Sequence, residues 1–316
     1  MKPISELVKI REHLMSVYNT APITKEIDLL NVELRAVGTE NIGGEVKNDI
    51  DELADDLITI HTKLKFNNDR YHAVINHIDR LVQAESTKFL TENYSLELRV
   101  EAEAVGNIRK IRVLDIRPDI EELILHRIRS YTDWKYPALE IGCRDGEWTR
   151  SLISADPLYI TDHYRDFLES AVKDFTPEYQ IRIRPYLTKD ADLSMLPQGQ
   201  FGFVFCWNFL NYRSLDTVKE YLKSVKELLR PGGVFMFSYN NGDMHECAGY
   251  AEGYWMSYIP KSLLVPMCES LGFEIVYTQE ARGEGTAISW IELKKHGTLD
   301  TVKAHQVLGE IKRIET

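Results

Sequence analysis

Apolar positions along the chain fall into two regimes. From Glu45 to Val105 there is no glycine or proline, and apolar residues recur at Val46, Ile50, Leu53, Leu57, Ile60, Leu64, Tyr71, Val74, Ile78 and Leu81. The steps alternate three and four, broken where Asn67 occupies a seam position. This is the narrow stripe of a coiled coil, in which a polar seam residue sets register or oligomer state. A long helix packed on its neighbours within one chain gives a similar stripe, but so narrow and sustained a seam favours self-association. Ahead of it, Leu7, Ile10, Leu14 and Val17 mark one helix face over Ser5 to Tyr18, and Pro22 ends it. Ile23, Ile27, Leu30, Leu34 and Val37 then give a second short amphipathic helix, before a turn at Gly38 to Gly44. After about Thr87 the period falls to two. Tyr94 to Ala104 alternates as a half-exposed strand, Gly106 and Asn107 turn the chain, and Ile108 to Ile116 returns as the second arm of a β-hairpin.

The second regime opens at Pro118, where Ile120, Leu123, Ile124 and Ile128 predict a helix over Asp119 to Tyr131. Short apolar runs follow at Leu139–Ile141, Leu158–Thr161, Phe201–Phe205, Gly232–Ser238, Phe273–Tyr277 and Ala287–Lys294. Between them lie helix-period patterns at Glu147–Ser154, Asp166–Phe175, Leu215–Leu229 and Lys261–Leu271. Strand and helix alternating at this spacing predict an α/β domain with a mostly parallel sheet and helices on both faces. The resulting division is 1–44 short helices, 45–86 coiled-coil helix, 87–117 hairpin connector, 118–297 α/β domain and 298–316 a C-terminal amphipathic helix.

Candidate chemistry concentrates where the first strand ends. Pro137-Ala-Leu-Glu-Ile-Gly-Cys-Arg-Asp-Gly-Glu-Trp-Thr149 reads as a buried strand, a glycine turn and a helix start. Glycines at 142 and 146 let backbone approach a ligand, and a helix N-terminus presents free N–H groups. Asp162 ends the second run, where an acid holds ribose hydroxyls in nucleotide-type folds.

These residues carry a resemblance. Leu-Glu-Ile-Gly-Cys-Arg-Asp-Gly resembles the first motif of class I S-adenosylmethionine-dependent methyltransferases, and Asp162-His-Tyr-Arg-Asp-Phe-Leu-Glu-Ser-Ala171 resembles their acidic second motif. Asp192-Leu-Ser-Met-Leu-Pro197 is similar to the loop after their third strand, and Leu229-Arg-Pro-Gly-Gly-Val234 to the turn into the fifth. The resemblance covers about Asp119 to Lys295 and implies a Rossmann-like, seven-stranded domain with S-adenosyl-L-methionine as cofactor. It places Gly142 and Gly146 at the carboxypropyl end, Glu140 as organiser of the turn and Asp162 on the ribose. Asp192 with Leu193, or alternatively Asp190, meets the adenine. Trp207, Asn208 and Tyr212, in the stretch after strand four, become candidate substrate-pocket residues, and this stretch lacks the Asn/Asp-Pro-Pro-aromatic signature of many amino-methylating enzymes. Two positions depart from the family pattern. Arg144 stands at the middle glycine, either pointing away or filling space meant for the methionine part, and Gly202 stands where an acid is common. His245, in the polar stretch Asn240–Glu246, is the one candidate general base; the catalytic residue is otherwise unassigned. The aromatic-rich stretch Tyr250–Tyr258 reads as a lid or a partner surface.

Composition narrows the rest. A formal net charge of -11 over 316 residues argues against an extensive nucleic-acid footprint, and the basic stretch Arg109–Arg112 is too small to change that. Cys143, Cys206, Cys247 and Cys268 lack Cys-x-x-Cys spacing, so reduced thiols are expected and no metal site. No apolar leader and no membrane-length run stand out, and a cytoplasmic protein, or part of an intracellularly assembled particle, is expected. The favoured reading is a methyltransferase acting on a small or exposed acceptor, displayed on a homo-oligomeric stalk formed by residues 45–86. The competing reading is a structural assembly protein, for example a virion-associated scaffold, that keeps the fold without the chemistry. An NAD-dependent oxidoreductase fits the later motifs less well.

Overall fold

The computed structural model describes residues 4–17, 27, 29, 32, 44–91, 116–253, 255–283 and 286–299, with the long helix's side chains described over 51–82. The expected helix at 23–37, the hairpin at 94–116 and the helix at 298–316 lie essentially outside the described residues. The chain divides into two compact units, Met1–Lys88 and Phe89–Thr316.

In the first unit, α1 spans Ile4–Val17 and α2 is one uninterrupted helix, Gly44–Thr91. The absence of glycine and proline lets α2 run past the expected change of period at Thr87. Arg11 of α1 pairs with Asp79 of α2 at 3.1 Å. The apolar seam of α2 is only partly covered. Ile78 is buried, whereas Leu53, Ile60, Val74 and Leu81 are exposed.

The second unit is a seven-stranded sheet in the order β3-β2-β1-β4-β5-β7-β6. Its strands are β1 Ala138–Ile141, β2 Leu158–Asp162, β3 Ile183–Leu187, β4 Phe201–Cys206, β5 Leu229–Tyr239, β6 Phe273–Gly283 and β7 Thr286–Lys295. Strands β1 to β5 pair in parallel, and β7 is antiparallel to both β5 and β6. Side chains of successive strand residues alternate between faces. Val204, Cys206, Phe235 and Phe237 therefore join one buried cluster with α6 (Leu215–Leu228) and α8 (Lys261–Ser270). Phe203, Phe205, Val234 and Met236 join the other, with α3 (Pro118–Tyr131) and α4 (Arg165–Lys173). The result is helix, sheet and helix in three layers. The remaining helices, α5 (Pro177–Gln180) and α7 (His245–Glu252), are short.

Three local features differ from the sequence reading. The expected helix at Glu147–Ser154 is a single 3-10 turn, Thr149–Leu152, with Ile153 exposed. The Thr149 hydroxyl donates to Glu140 instead of serving a helix, and Pro157 bars continuation toward β2. Strand β3 carries no apolar run; it lies at one edge of the sheet, and its Arg184 and Pro185 are exposed, on opposite faces. Within Tyr250–Tyr258, Met256, Ser257 and Tyr258 are buried, whereas Trp255 is exposed.

Candidate cofactor site

In a doubly wound sheet, ligands bind outside the carboxyl ends of the strands where the strand order reverses. Here the reversal lies between β1 and β4, and the loops after those strands meet there. Glu140, Gly142, Arg144, Trp148, Trp207 and Asn208 line a small recess at this point, together with Asp145 and Glu147.

The loop after β1 is held by its own N–H groups. Gly142 and Cys143 donate to the Thr161 carbonyl at 2.8 and 3.1 Å, and Gly146 donates to the Cys143 carbonyl at 2.9 Å. Arg144 N–H donates to Asp162 Oδ2 at 3.0 Å, while Tyr164 N–H donates to Oδ1 at 3.0 Å. The two glycines face protein. A Cβ on Gly142 would lie 2.5 Å from the Phe209 ring, and one on Gly146 would lie 2.9 Å from Ala171. Their φ values of 73° and 87° also require glycine. So Gly142 makes room for Phe209 and Gly146 for Ala171 of α4, while Gly142 also lines the recess.

Arg144 adopts φ 49°, the left-handed conformation that costs a side-chain-bearing residue roughly 1–2 kcal/mol. Of its two readings, the structure favours the one toward the crevice, because Arg144 is among the residues lining the recess. Its positive charge counteracts the effect of burial, which pushes both the Asp162 carboxyl and the Tyr212 phenol upward. Asn208 also adopts φ 49°, and its N–H donates to Ser238 Oγ at 2.8 Å; Ser238 in turn donates to Asn211 Oδ1. Two left-handed non-glycine residues thus flank one recess, a clustering of strain that marks functional sites. The other departure has a packing cause, since a Cβ on Gly202 would lie 2.8 Å from Tyr136.

Glu140 is fully buried, and its Oε2 accepts from Thr149 Oγ1 at 2.5 Å. Burial, aided by the negative charges of Asp162 and Asp145, pushes its carboxyl up to about 8 against the Thr149 hydrogen bond. Asp162 is 4% exposed, its carboxylate accepts the Arg144 and Tyr164 N–H groups, and it stands behind the recess rather than among its lining residues. Trp148 is not among the site residues that the sequence marks. Its indole Nε1 is buried with no hydrogen-bond partner in the structure, a donor awaiting an acceptor beside the recess. Trp148 packs on Trp207 at 5.5 Å, and Trp207 on Trp290 at 5.8 Å, so Trp207 forms a rigid wall.

The other expected residues are placed as follows. Asp190 and Asp192 are exposed in the loop after β3 and accept backbone N–H groups from Asp192 and Ser194. The Ser194 hydroxyl and N–H hold the Asp192 carboxyl below the usual range. Leu193 is a core residue, 1% exposed, so its side chain packs inward. Tyr212 is half-buried in the 3-10 turn after β4 and is not among the residues lining the recess. His245 opens α7, with Nδ1 3.3 Å from Glu246, and is not among the residues lining the recess. All four cysteines are buried, and burial pushes each thiol upward, to about 12 for Cys247 and Cys268, which suits packing rather than nucleophilic work.

The site suits some ligands and not others. With Gly142, Cys143, Arg144 and Gly146 N–H groups already bonded, and only a 3-10 turn following, the loop is no cradle for a pyrophosphate. A recess lined by Asp145 and Glu147 as well as Arg144, with one indole donor, offers partners to a ligand that carries both signs of charge and acceptor atoms.

Residues 138–233 match a family model described as a methyltransferase domain. The chain resembles the N-methyltransferase NodS from Bradyrhizobium japonicum, solved with S-adenosyl-L-homocysteine, at 18% identity and TM-score 0.48, covering 64% of this chain and 96% of that one. It resembles an S-adenosylmethionine-dependent methyltransferase from Clostridium acetobutylicum at 14% identity and TM-score 0.49, over 62% and 99% of the two chains. The [4+2]-cyclase SpnF is similar at 12% identity and TM-score 0.46, over 57% and 83%. No curated protein sequence matches the chain.

Proposed function

We propose that residues 118–297 form a class I, Rossmann-like methyltransferase domain, that the crevice between its β1 and β4 loops binds S-adenosylmethionine, and that the protein methylates a small or exposed acceptor. The single observation carrying this is the recess itself. At the reversal of the strand order, an orphaned indole N–H and two left-handed residues line the recess, and Asp162 holds the Arg144 N–H of that loop. The cofactor would bring a methyl group already activated by its sulfonium, so orientation is the main task left to the protein. Asp162 would accept ribose hydroxyls, and Asp190 or Asp192, in the loop after β3, would meet the adenine. Trp148 Nε1 would donate to an acceptor atom, and Arg144 would attract the carboxylate end. Trp207, Asn208 and Tyr212 would shape the acceptor side. No general base is assigned, because a base is needed only for an acceptor that must lose a proton of high pKa.

The test is calorimetric titration with S-adenosylmethionine and S-adenosylhomocysteine, with NAD as control. Saturable binding of the sulfur nucleotides alone supports the reading. A folded protein that binds neither would place the assembly-protein reading first. Asp162→Ala is expected to weaken S-adenosylhomocysteine binding at least 10-fold, about 1.4 kcal/mol. Asp162→Ala also removes the acceptor for the Arg144 and Tyr164 N–H groups, so its melting curve must accompany the titration. Affinity within twofold of the parent would remove Asp162 from the site.

We further propose that α2 joins a second copy of the chain through its seam. The exposed seam residues Leu53, Ile60, Val74 and Leu81 support this, because apolar surface repeated at heptad spacing is stabilised by a partner helix. Light scattering on the protein used for titration would read the subunit number. A monomer at working concentration would end the stalk proposal and leave the cofactor proposal untouched.

A further inference from the structure

We infer that His163 is a positioning residue, the middle of a one-directional hydrogen-bond relay that sets the loop after β3 against the cofactor crevice. His163 directly follows Asp162. Its Nδ1 lies 3.3 Å from Arg213 Nη2 and its Nε2 lies 3.2 Å from Tyr221 Oη. Tyr221 Oη lies 3.1 Å from the Asp190 carbonyl oxygen. An arginine can only donate, so Nδ1 accepts. The imidazole proton therefore sits on Nε2 and is donated to Tyr221, whose hydroxyl hydrogen is donated to the Asp190 carbonyl. Every bond in the chain Arg213, His163, Tyr221, Asp190 runs the same way, and donors aligned in series polarise one another.

The relay is built into the core. Tyr221 is 1% exposed and Arg213 6% exposed. The Phe209 ring gathers the members, with His163 edge-on at 5.1 Å, Tyr221 edge-on at 5.6 Å and the Arg213 guanidinium 4.7 Å above it. This same ring fills the space over Gly142. Ser224 Oγ adds a second tie, donating to the Ala191 carbonyl at 2.6 Å. Segments following β1, β2, β3 and β4 are thus locked together at the end of the sheet where the recess opens. The consequence is a fixed separation between Asp162 and the Asp190–Asp192 loop, the two acidic stations proposed for one ligand. None of the relay's side chains needs to touch that ligand.

The inference rests on the cofactor reading for its purpose, but its geometry is testable without ligand. His163→Phe keeps a ring against Phe209 yet neither accepts nor donates; His163→Gln can do both. Hydrogen exchange of the ligand-free protein is expected to speed up about 10-fold over residues 188–194 in the Phe variant. Exchange in β6 and β7 should stay unchanged, and the Gln variant should lie nearer the parent. S-adenosylhomocysteine affinity should fall about 5- to 10-fold in the Phe variant and recover in part with Gln. Unchanged exchange over 188–194, or a uniform rise that includes β6 and β7, would overturn the relay. If the parent binds no sulfur nucleotide, the cofactor reading fails, while the exchange result still decides the relay.

Discussion

Replacing Glu292 alone by leucine is expected to destabilise the α/β unit by about 3–5 kcal/mol, the cost of removing one partner of a buried, hydrogen-bonded ion pair. Glu292, in β7, is fully buried. It accepts from Arg127 Nε at 2.9 and 3.1 Å, from Arg127 Nη2, from Tyr131 Oη at 2.5 Å and from Trp290 Nε1 at 3.3 Å. Arg127 also lies 4.6 Å over the Tyr277 ring and donates to Tyr131 Oη at 2.6 Å. Arg127 and Tyr131 sit one turn apart on α3, so the carboxylate is what seats that helix on the sheet. The Glu292 hydrogen bonds hold the Arg127 guanidinium above its ordinary value, and burial followed by the Glu292 contact pushes the Tyr131 phenol upward. In thermal melts the single variant should lose roughly 10 °C or more. Arg127→Leu combined with Glu292→Leu should recover a substantial part, because replacing both partners by apolar groups is often close to neutral. Additive losses in the double variant would show that packing, not the buried charge, carries the cost.

That cluster was invisible in the sequence, and the reason is general to this fold. Glu292 occupies the polar step of an alternating strand, and Arg127 the polar step of a helix, 165 residues apart. Nothing local marks them as partners. The strands buried on both faces were legible, because Leu139–Ile141 and Phe201–Phe205 are apolar runs bounded by glycine, proline or polar residues. Strand β3 was not, since its exposed Arg184 and Pro185 interrupt any such run. The glycine turn after β1 was legible as a turn, but its meaning was not. Whether a glycine makes room for a ligand or for Phe209 and Ala171 depends on what folds over it. Asp162 could be placed by its position at a strand end, whereas Trp148 could not. An indole at helical spacing reads as core, and only the three-dimensional structure shows its Nε1 without a partner.

Glu140 makes stability fall as pH rises, and Glu140→Gln is expected to remove that dependence. With its carboxyl pushed up to about 8 in the folded protein and ordinary in the unfolded chain, the folded state keeps a proton that the unfolded state has lost. The unfolded state then binds fewer protons, so the slope of stability against pH is negative. The contribution is fully present below about 4.5, the unfolded value, and is lost by about pH 8, a loss on the order of a few kcal/mol. Asp162 adds in the same direction, since burial raises its carboxyl too. Glutamine keeps an acceptor for the Thr149 hydroxyl and never ionises, so melting temperatures of the variant and the parent should converge at acid pH and separate toward pH 8. Parallel curves would show that Glu140 is ionised in the fold. The same linkage bears on the ligand, because Glu140 lines the recess. A sulfonium bound there favours the carboxylate, whereas the thioether of S-adenosylhomocysteine carries no such charge. Binding of S-adenosylmethionine near pH 7 should therefore release a proton, seen as a dependence of calorimetric heat on buffer ionisation enthalpy. S-adenosylhomocysteine should show less release, and Glu140→Gln should erase the difference. Equal proton release by both ligands would place the positive charge away from Glu140.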